Sequence, residues 1–197
     1  MKNLLINFHL CTALSLILCL LVFSQKINAE VQTQLQNRLT QMAQQALEVT
    51  QQSATDNQVL QQLQTDILNL HTQTLEEIVS LHGWPSQSLV GSQGVNAAVT
   101  IVKYSEDLDF QQNMLPLIIQ SYMNGQGVTG QSVADITDLV AIRKGQKQVF
   151  GTQYQITQGK LVFSPIENVD SLDQLRAELN LPPFAEFKKQ LELTELP

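Results

Sequence analysis

The sequence contains no cysteine beyond Cys19. Both cysteines, Cys11 and Cys19, lie in the opening segment of the chain. Residues 30–197 therefore have no disulfide, no thiol nucleophile and no thiolate metal ligand. Without bridges this part of the chain must be held together by its hydrophobic core, and its length is enough for one domain of ordinary size.

Basic residues are also scarce. Without Lys2 and Lys26, the chain keeps 9 of its 11 basic residues against 18 acidic ones, a net charge of -9. Nucleic acid is not an expected partner, because its affinity comes from phosphates neutralised by Lys and Arg. Glutamine is abundant by contrast and is densest between Gln32 and Gln64. Glutamines alternate there with regularly spaced apolar residues, which is typical of a solvated helix face.

The opening segment, residues 1–29, has the pattern of a secretory signal. Lys2 precedes an uncharged, mainly apolar run from Leu10 to Phe23, and the small residue Ala29 stands before Glu30. This pattern predicts that residues 1–29 are cleaved after Ala29 and that the protein is exported, periplasmic or secreted. The alternative is an inner-membrane anchor at residues 4–23, since about 20 residues span a bilayer. The membrane is a partner only in that second case.

Two apolar stripes with helical spacing follow the signal. The first comprises Leu35, Leu39, Met42, Ala46 and Val49, and the second runs from Leu60 to Leu81. They predict an antiparallel helix pair or, alternatively, one long bent helix. Residues 30–66 are accordingly predicted as a Gln-rich helical extension, and residues 67–193 as a single α+β domain.

The sequence His-Gly-Trp-Pro, from His82 to Pro85, should end the second helix. Gly83 accepts the left-handed conformation that closes a helix, and Pro85 prevents its continuation. A short buried helix is preferred for Val95–Val102, although the run could also be a strand. Further helices are predicted from Phe110 to Tyr122, over residues 171–179 and over residues 184–193.

Alternating residues then predict three short strands. They cover Asp138–Arg143, Gln148–Tyr154 and Lys160–Phe163, joined by turns at residues 144–146 and 158–159. Consecutive strands with glycine turns indicate an antiparallel meander. The predicted fold class is therefore α+β: mainly helical with a small three-stranded antiparallel meander, preceded by an N-terminal helical hairpin.

Several motifs occur along the chain in a fixed order: Leu81–Pro85, Met114–Leu117, Thr137–Asp138, Gly151–Gln153 and Leu181–Pro183. With these motifs the chain resembles a bacterial domain-of-unknown-function family, marked by His-Gly-Trp-Pro, a Gln-His pair, a Thr-Asp-Arg strand and a Tyr-Gly-Thr-Gln strand. The resemblance covers about residues 68–191 and implies a shared fold, but it supplies no activity. This chain departs from the family pattern with Lys103-Tyr104 at the Gln-His pair, Leu139 at the arginine and Phe150 at the tyrosine.

The polar residues that the chain shares with this pattern are the candidate site. His82 is a candidate general acid or base, with Asp138 orienting it; the alternative is that His82 caps its helix and Asp138 is structural. The candidate binding residues are Trp84, Gln148, Thr152 and Gln153, whose polar groups suit hydrogen bonding to a sugar or peptide.

Other chemistries find little support in the sequence. No Gly-x-Ser-x-Gly nucleophile elbow is present. His71 and His82 would lie about 16 Å apart on a straight helix, so they cannot share one metal ion. No metal or cofactor is expected. The favoured function is a non-catalytic binding or interaction module of the cell envelope, with an unknown envelope ligand or protein as its partner. The alternative is a hydrolase of an envelope polymer that uses His82 as general acid or base.

Overall fold

The computed structural model describes residues 2–51 and 57–195, with side chains from residue 24 onwards. The described helices are α1 (Lys2–Gln51), α2 (Gln58–His82), α3 (Gln87–Tyr104), α4 (Leu108–Met123), α5 (Gly130–Arg143), α6 (Leu172–Glu178) and α7 (Phe184–Glu195). One antiparallel sheet contains β1 (Tyr154–Thr157) and β2 (Lys160–Phe163). The fold is therefore α+β and mostly helical, as the sequence predicted.

Helices α1 and α2 form the antiparallel pair that the two apolar stripes predicted. The Nε2 atom of His71 lies 3.1 Å from Oε1 of Gln45, and Nε2 of Gln64 donates to the carbonyl of Val49 at 3.4 Å. Residue numbers rise along one helix as they fall along the other, which defines the antiparallel direction. Asn57 begins α2, because its Oδ1 accepts from the second and third backbone N–H groups of that helix.

The C-terminal part of α1 belongs to the hydrophobic core. Its buried residues are Leu39, Met42, Ala43 and Ala46, and they pack mainly on α3. Helix α3 presents Gly94, Ala97 and Ala98 among its buried residues, which allows close packing of helices. The preference for a helix over a strand at residues 95–102 is confirmed.

The predicted strand at Asp138–Arg143 was wrong, since these residues form the last turns of α5. Thr129 caps this helix by accepting from the Ser132 N–H at 3.1 Å. Buried residues at Val133, Ile136 and Val140 continue the helical spacing from there. A cap and a helical stripe that runs the length of α5 outweigh the weak strand preference of the few branched residues within it.

The predicted strand at Gln148–Tyr154 was also wrong, so the sheet has two strands instead of three. Only Tyr154 of that segment lies in β1, and Gln148 forms an isolated parallel bridge with Ile166. Gly151 has φ +71°, a left-handed conformation that interrupts an extended strand. The third predicted strand, Lys160–Phe163, is confirmed as β2, and its turn at Gln158–Gly159 has positive φ at both residues.

In the described part of the chain, no helix is both long and apolar enough to cross a membrane. The predicted signal at residues 1–29 and the alternative anchor at residues 4–23 fall mainly on side chains that lie outside the described ones.

Candidate functional site

Asp138 is the centre of a buried polar network. Helix α5 places its side chain in the interior, with no exposed surface. One carboxylate oxygen accepts from the N–H groups of Val149 at 2.7 Å and Phe150 at 2.9 Å. The other accepts from the N–H and the hydroxyl of Thr152, both at 2.9 Å. A carboxylate offers about four acceptor positions, so these four donors occupy it.

Gln148 and Gln153 extend the network across the same loop. The fully buried Gln148 donates through Nε2 to the carbonyls of Gln153 at 3.1 Å and Ser164 at 2.7 Å, and its Oε1 accepts from the Gln153 N–H at 2.8 Å. Gln153 in turn donates through Nε2 to the Asp135 carbonyl and the Thr152 hydroxyl. The predicted binding residues Gln148, Thr152 and Gln153 therefore meet in space, but they bond to one another and to backbone.

Arg176 completes this network, and it was missed as a site residue by the sequence reasoning. Its Nη1 donates to the Phe150 carbonyl at 2.6 Å and its Nε to the Pro182 carbonyl at 2.7 Å. The guanidinium lies 4.6 Å from the ring centre of Phe187, within range of a cation–π contact. Burial lowers the pKa of Arg176, while the nearby carboxylates of Asp173, Asp138 and Asp135 act in the opposite direction. Only its position shortly before the Leu181–Pro183 motif could have indicated it.

His82 and Trp84 stand outside this network. His82 is the last residue of α2 and is exposed, whereas Trp84 is buried in the hydrophobic core. Among the described residues, no hydrogen bond or ion pair links His82 to Asp138. The Trp84 indole N–H is buried and has no partner there either. The structure thus brings together four of the six predicted site residues and leaves the predicted acid or base apart from its proposed orienting carboxylate.

A cavity of about 500 Å³ is lined by three of the four residues at which the chain departs from the family pattern, and we call it the Tyr104 cavity. Lys103, Tyr104, Gln111, Leu139 and Arg143 line it. Arg143 is held by the Ser105 carbonyl at 3.1 Å and by Oε1 of Gln111 at 2.6 Å. The wall of this cavity therefore carries hydrogen-bonding and charged groups.

Lys103 also pairs with Asp135 at 3.7 Å across the edge of the Tyr104 cavity. Burial raises the pKa of Asp135, and the positive charge of Lys103 offsets part of that increase. Lys103 and Asp135 are a titratable pair near the network, but the partner of the carboxylate is a lysine and not a histidine. They therefore do not form the carboxylate–histidine pair that the sequence suggested.

Two concavities lie side by side between helices α4 and α5, and we call them together the α4–α5 groove. One has a volume of about 760 Å³ and is lined mainly by Leu115, Pro116, Ile119, Met123 and Val140. The other has a volume of about 580 Å³ and is lined by Thr137, Lys144, Gln146, Lys147 and Glu167, among others. Leu115, Val140 and Lys144 border both, so the two concavities are continuous.

Metal binding finds no geometric support in the described residues, where no three His, Cys, Asp or Glu side chains come together. Comparison with known proteins identifies no curated protein and no solved structure that is similar to this chain. A family model matches residues 29–195, which is most of the sequence. The chain therefore belongs to the family of unknown function DUF6624.

Proposed function

We propose that the protein is an exported, non-catalytic binding or interaction module of the cell envelope. The observation that carries this proposal is the full occupation of the Asp138 carboxylate by four donors from residues 149–152. A general base or an orienting carboxylate needs a free acceptor directed at its partner. Asp138 uses its acceptors to hold a loop, so it is suited to a structural role.

The hydrolase alternative loses its main support for the same reason. That reaction would require Asp138 to orient His82, and the donors to Asp138 all come from the loop. His82 alone, exposed at the end of α2, resembles an ordinary surface histidine. The positions where the resemblance expects a histidine and an arginine carry Tyr104 and Leu139, which supply no acid–base pair in their cavity.

Two observations support export. The uncharged run from Leu10 to Phe23 and the small residue Ala29 have the pattern of a signal. The family match begins at residue 29, next to the proposed cleavage point. Residues 30–197 contain no cysteine and therefore no thiol that could be oxidised, which is also compatible with an oxidising compartment.

Cosedimentation with isolated cell envelopes tests the proposal. Protein expressed from the full chain is recovered, its N-terminus is determined, and it is then mixed with envelopes. The pellet reports binding, and the supernatant reports soluble fragments with new reducing ends or amino groups. We expect saturable binding, an N-terminus at Glu30 and no fragment release above the protein-free blank.

His82→Ala separates the two functions in the same assay. A binding module retains its binding in this variant, since an exposed side chain contributes little to the fold. Fragment release that disappears in His82→Ala would instead establish the hydrolase and overturn the proposal. Absence of saturable binding to any envelope fraction would also overturn it.

A further inference from the structure

Helix α4 is apolar on two faces, although one apolar face is enough to anchor a helix. Its core-facing residues include Phe110, Met114 and Ile118, all of them buried. A second stripe at Leu115, Ile119 and Met123, each four residues apart, faces the α4–α5 groove. The Met123 side chain is 77 % exposed. Leu115 and Ile119 are half-buried against the core, so the stripe leaves part of its apolar surface open along the groove, and open apolar surface is suited to binding an apolar group.

Helix α5 supplies the second wall of the groove and gives it a cationic end. Val140 continues the apolar surface, and Lys144 and Lys147 follow at the C-terminal end of the helix. Neither lysine forms an ion pair with any described residue. One carboxylate, Glu167, lines the same end and opposes them, which leaves one net positive charge on that wall.

Charge is therefore divided between the two ends of the groove, although Gln112, Gln120 and Asn124 also line the end without Lys147 and Glu167. The end at Ile119 and Met123 has no charged residue apart from the shared Lys144, whereas the other end has Lys144, Lys147 and Glu167. Each concavity has a volume in the range of about 300–1,000 Å³ that is usual for small-molecule sites.

We propose that the α4–α5 groove binds a single-chain anionic amphiphile. Its acyl chain lies along Leu115, Ile119 and Met123, and its carboxylate or phosphate head lies between Lys144 and Lys147. The net charge of the chain is -7, so a cationic end within this acidic protein is locally complementary to one anionic head. This inference rests on the proposed function, because it names the ligand class of that binding module.

Isothermal titration of the purified protein with dodecanoate and with dodecyl phosphate, each below its micellar concentration, tests the inference. We expect one saturable site per chain for at least one of them, and the stronger of the two identifies the head chemistry. Decanoate should bind about fourfold more weakly per methylene removed, because each buried methylene contributes about 0.8 kcal/mol. Dodecyltrimethylammonium, which has the same tail and the opposite charge, should bind much more weakly than either.

Charge variants locate the head group. The double variant Lys144→Glu with Lys147→Glu should weaken binding about tenfold or more, since two exposed attractions become repulsions. Glu167→Gln should strengthen it. The matched control is Lys188→Glu with Lys189→Glu on α7, which makes the same charge change on another surface and should leave the affinity unchanged.

Met123→Gln tests the tail with little risk to folding, because this side chain is mostly exposed. We expect it to weaken dodecanoate binding while the thermal unfolding midpoint stays near that of the unmodified protein. Three results would each overturn the inference: no saturable site for either anionic probe, equal affinity for the cationic probe, or an unchanged affinity in the double lysine variant.

The envelope assay and the titration fail independently. Envelope binding without amphiphile binding would remove the groove assignment and leave the proposed function intact. Amphiphile binding without envelope association would retain the groove site and remove the envelope role.

Discussion

Asp138→Asn should destabilise the protein strongly, because the substitution replaces an acceptor with a donor in a fully buried position. Asp138 accepts from four donors at 2.7–2.9 Å. The asparagine side chain keeps one acceptor oxygen and has an NH2 group in place of the other. On whichever side that NH2 group lies, it would face two of the four donors and could accept from neither. Hydrogen bonds to a charged group contribute about 1.5–3 kcal/mol each. Losing two of them lowers the free energy of unfolding by about 3–6 kcal/mol.

Urea denaturation followed by the fluorescence of Trp84 measures this loss, since Trp84 is the only tryptophan in the chain and is buried. Hydrogen exchange of the Val149, Phe150 and Thr152 amides adds a local readout, because the amides on the side that the new NH2 group occupies lose their acceptor and should exchange faster. Asp135→Asn is the matched control. It lies three residues earlier on α5, is only partly buried and pairs with a lysine at 3.7 Å, so we expect a change below about 1 kcal/mol.

The reasoning would be refuted if Asp138→Asn unfolded within about 1 kcal/mol of the unmodified protein while the three amides kept their protection. A stable Asp138→Asn protein that no longer bound envelopes would further assign Asp138 to function and not to the loop.

Three more perturbations follow from buried contacts. Burial lowers the pKa of His71 from its ordinary 6.5, so His71 binds a proton more readily in the unfolded chain than in the folded protein. The free energy of unfolding should therefore fall as the pH decreases below 6.5. In denaturation curves between about pH 7.5 and 5.5, His71→Gln should reduce this pH dependence. Gly151→Ala should destabilise by about 2–3 kcal/mol in thermal melts, because its φ is +71° and a Cβ would lie 2.8 Å from the Phe184 ring; Gly145→Ala, at φ +72° with open space, should cost only about 1 kcal/mol. Arg176→Lys should lower the free energy of unfolding by about 2–3 kcal/mol in urea, since an ammonium cannot reproduce its separated donors and ring contact; an unchanged midpoint would contradict this role.

Most of the helices other than α5 were predictable, because their signals act over many residues. The stop at Gly83 and the helix within Val95–Val102 follow from local chemistry that tertiary contacts reinforce. The strand prediction at residues 138–143 failed because so short a segment, taken alone, fits both the helical and the strand spacing of apolar residues. Its resolution required the Thr129 cap and the buried Val133 upstream, which belong to the same helix.

The candidate site shows a different limit of sequence reasoning. The structure brings four of the six candidate site residues into one network, namely Asp138, Gln148, Thr152 and Gln153, and leaves His82 and Trp84 outside it. Their roles could not be predicted, because a buried carboxylate that orients a histidine and one that holds a loop have the same residue type. Only the positions of the surrounding N–H groups distinguish these roles, and those positions depend on the whole fold.

The same distinction explains why the α4–α5 groove is a better place for binding than the Asp138 network. Groups that already bond within the free protein must lose those bonds before they can contact a ligand, so they add little net affinity. Met123 and Lys147 have no such bonds to lose. Met123 is an exposed apolar side chain, and Lys147 forms no ion pair in the described structure. Contacts that they form with a ligand are therefore additional to those of the free state.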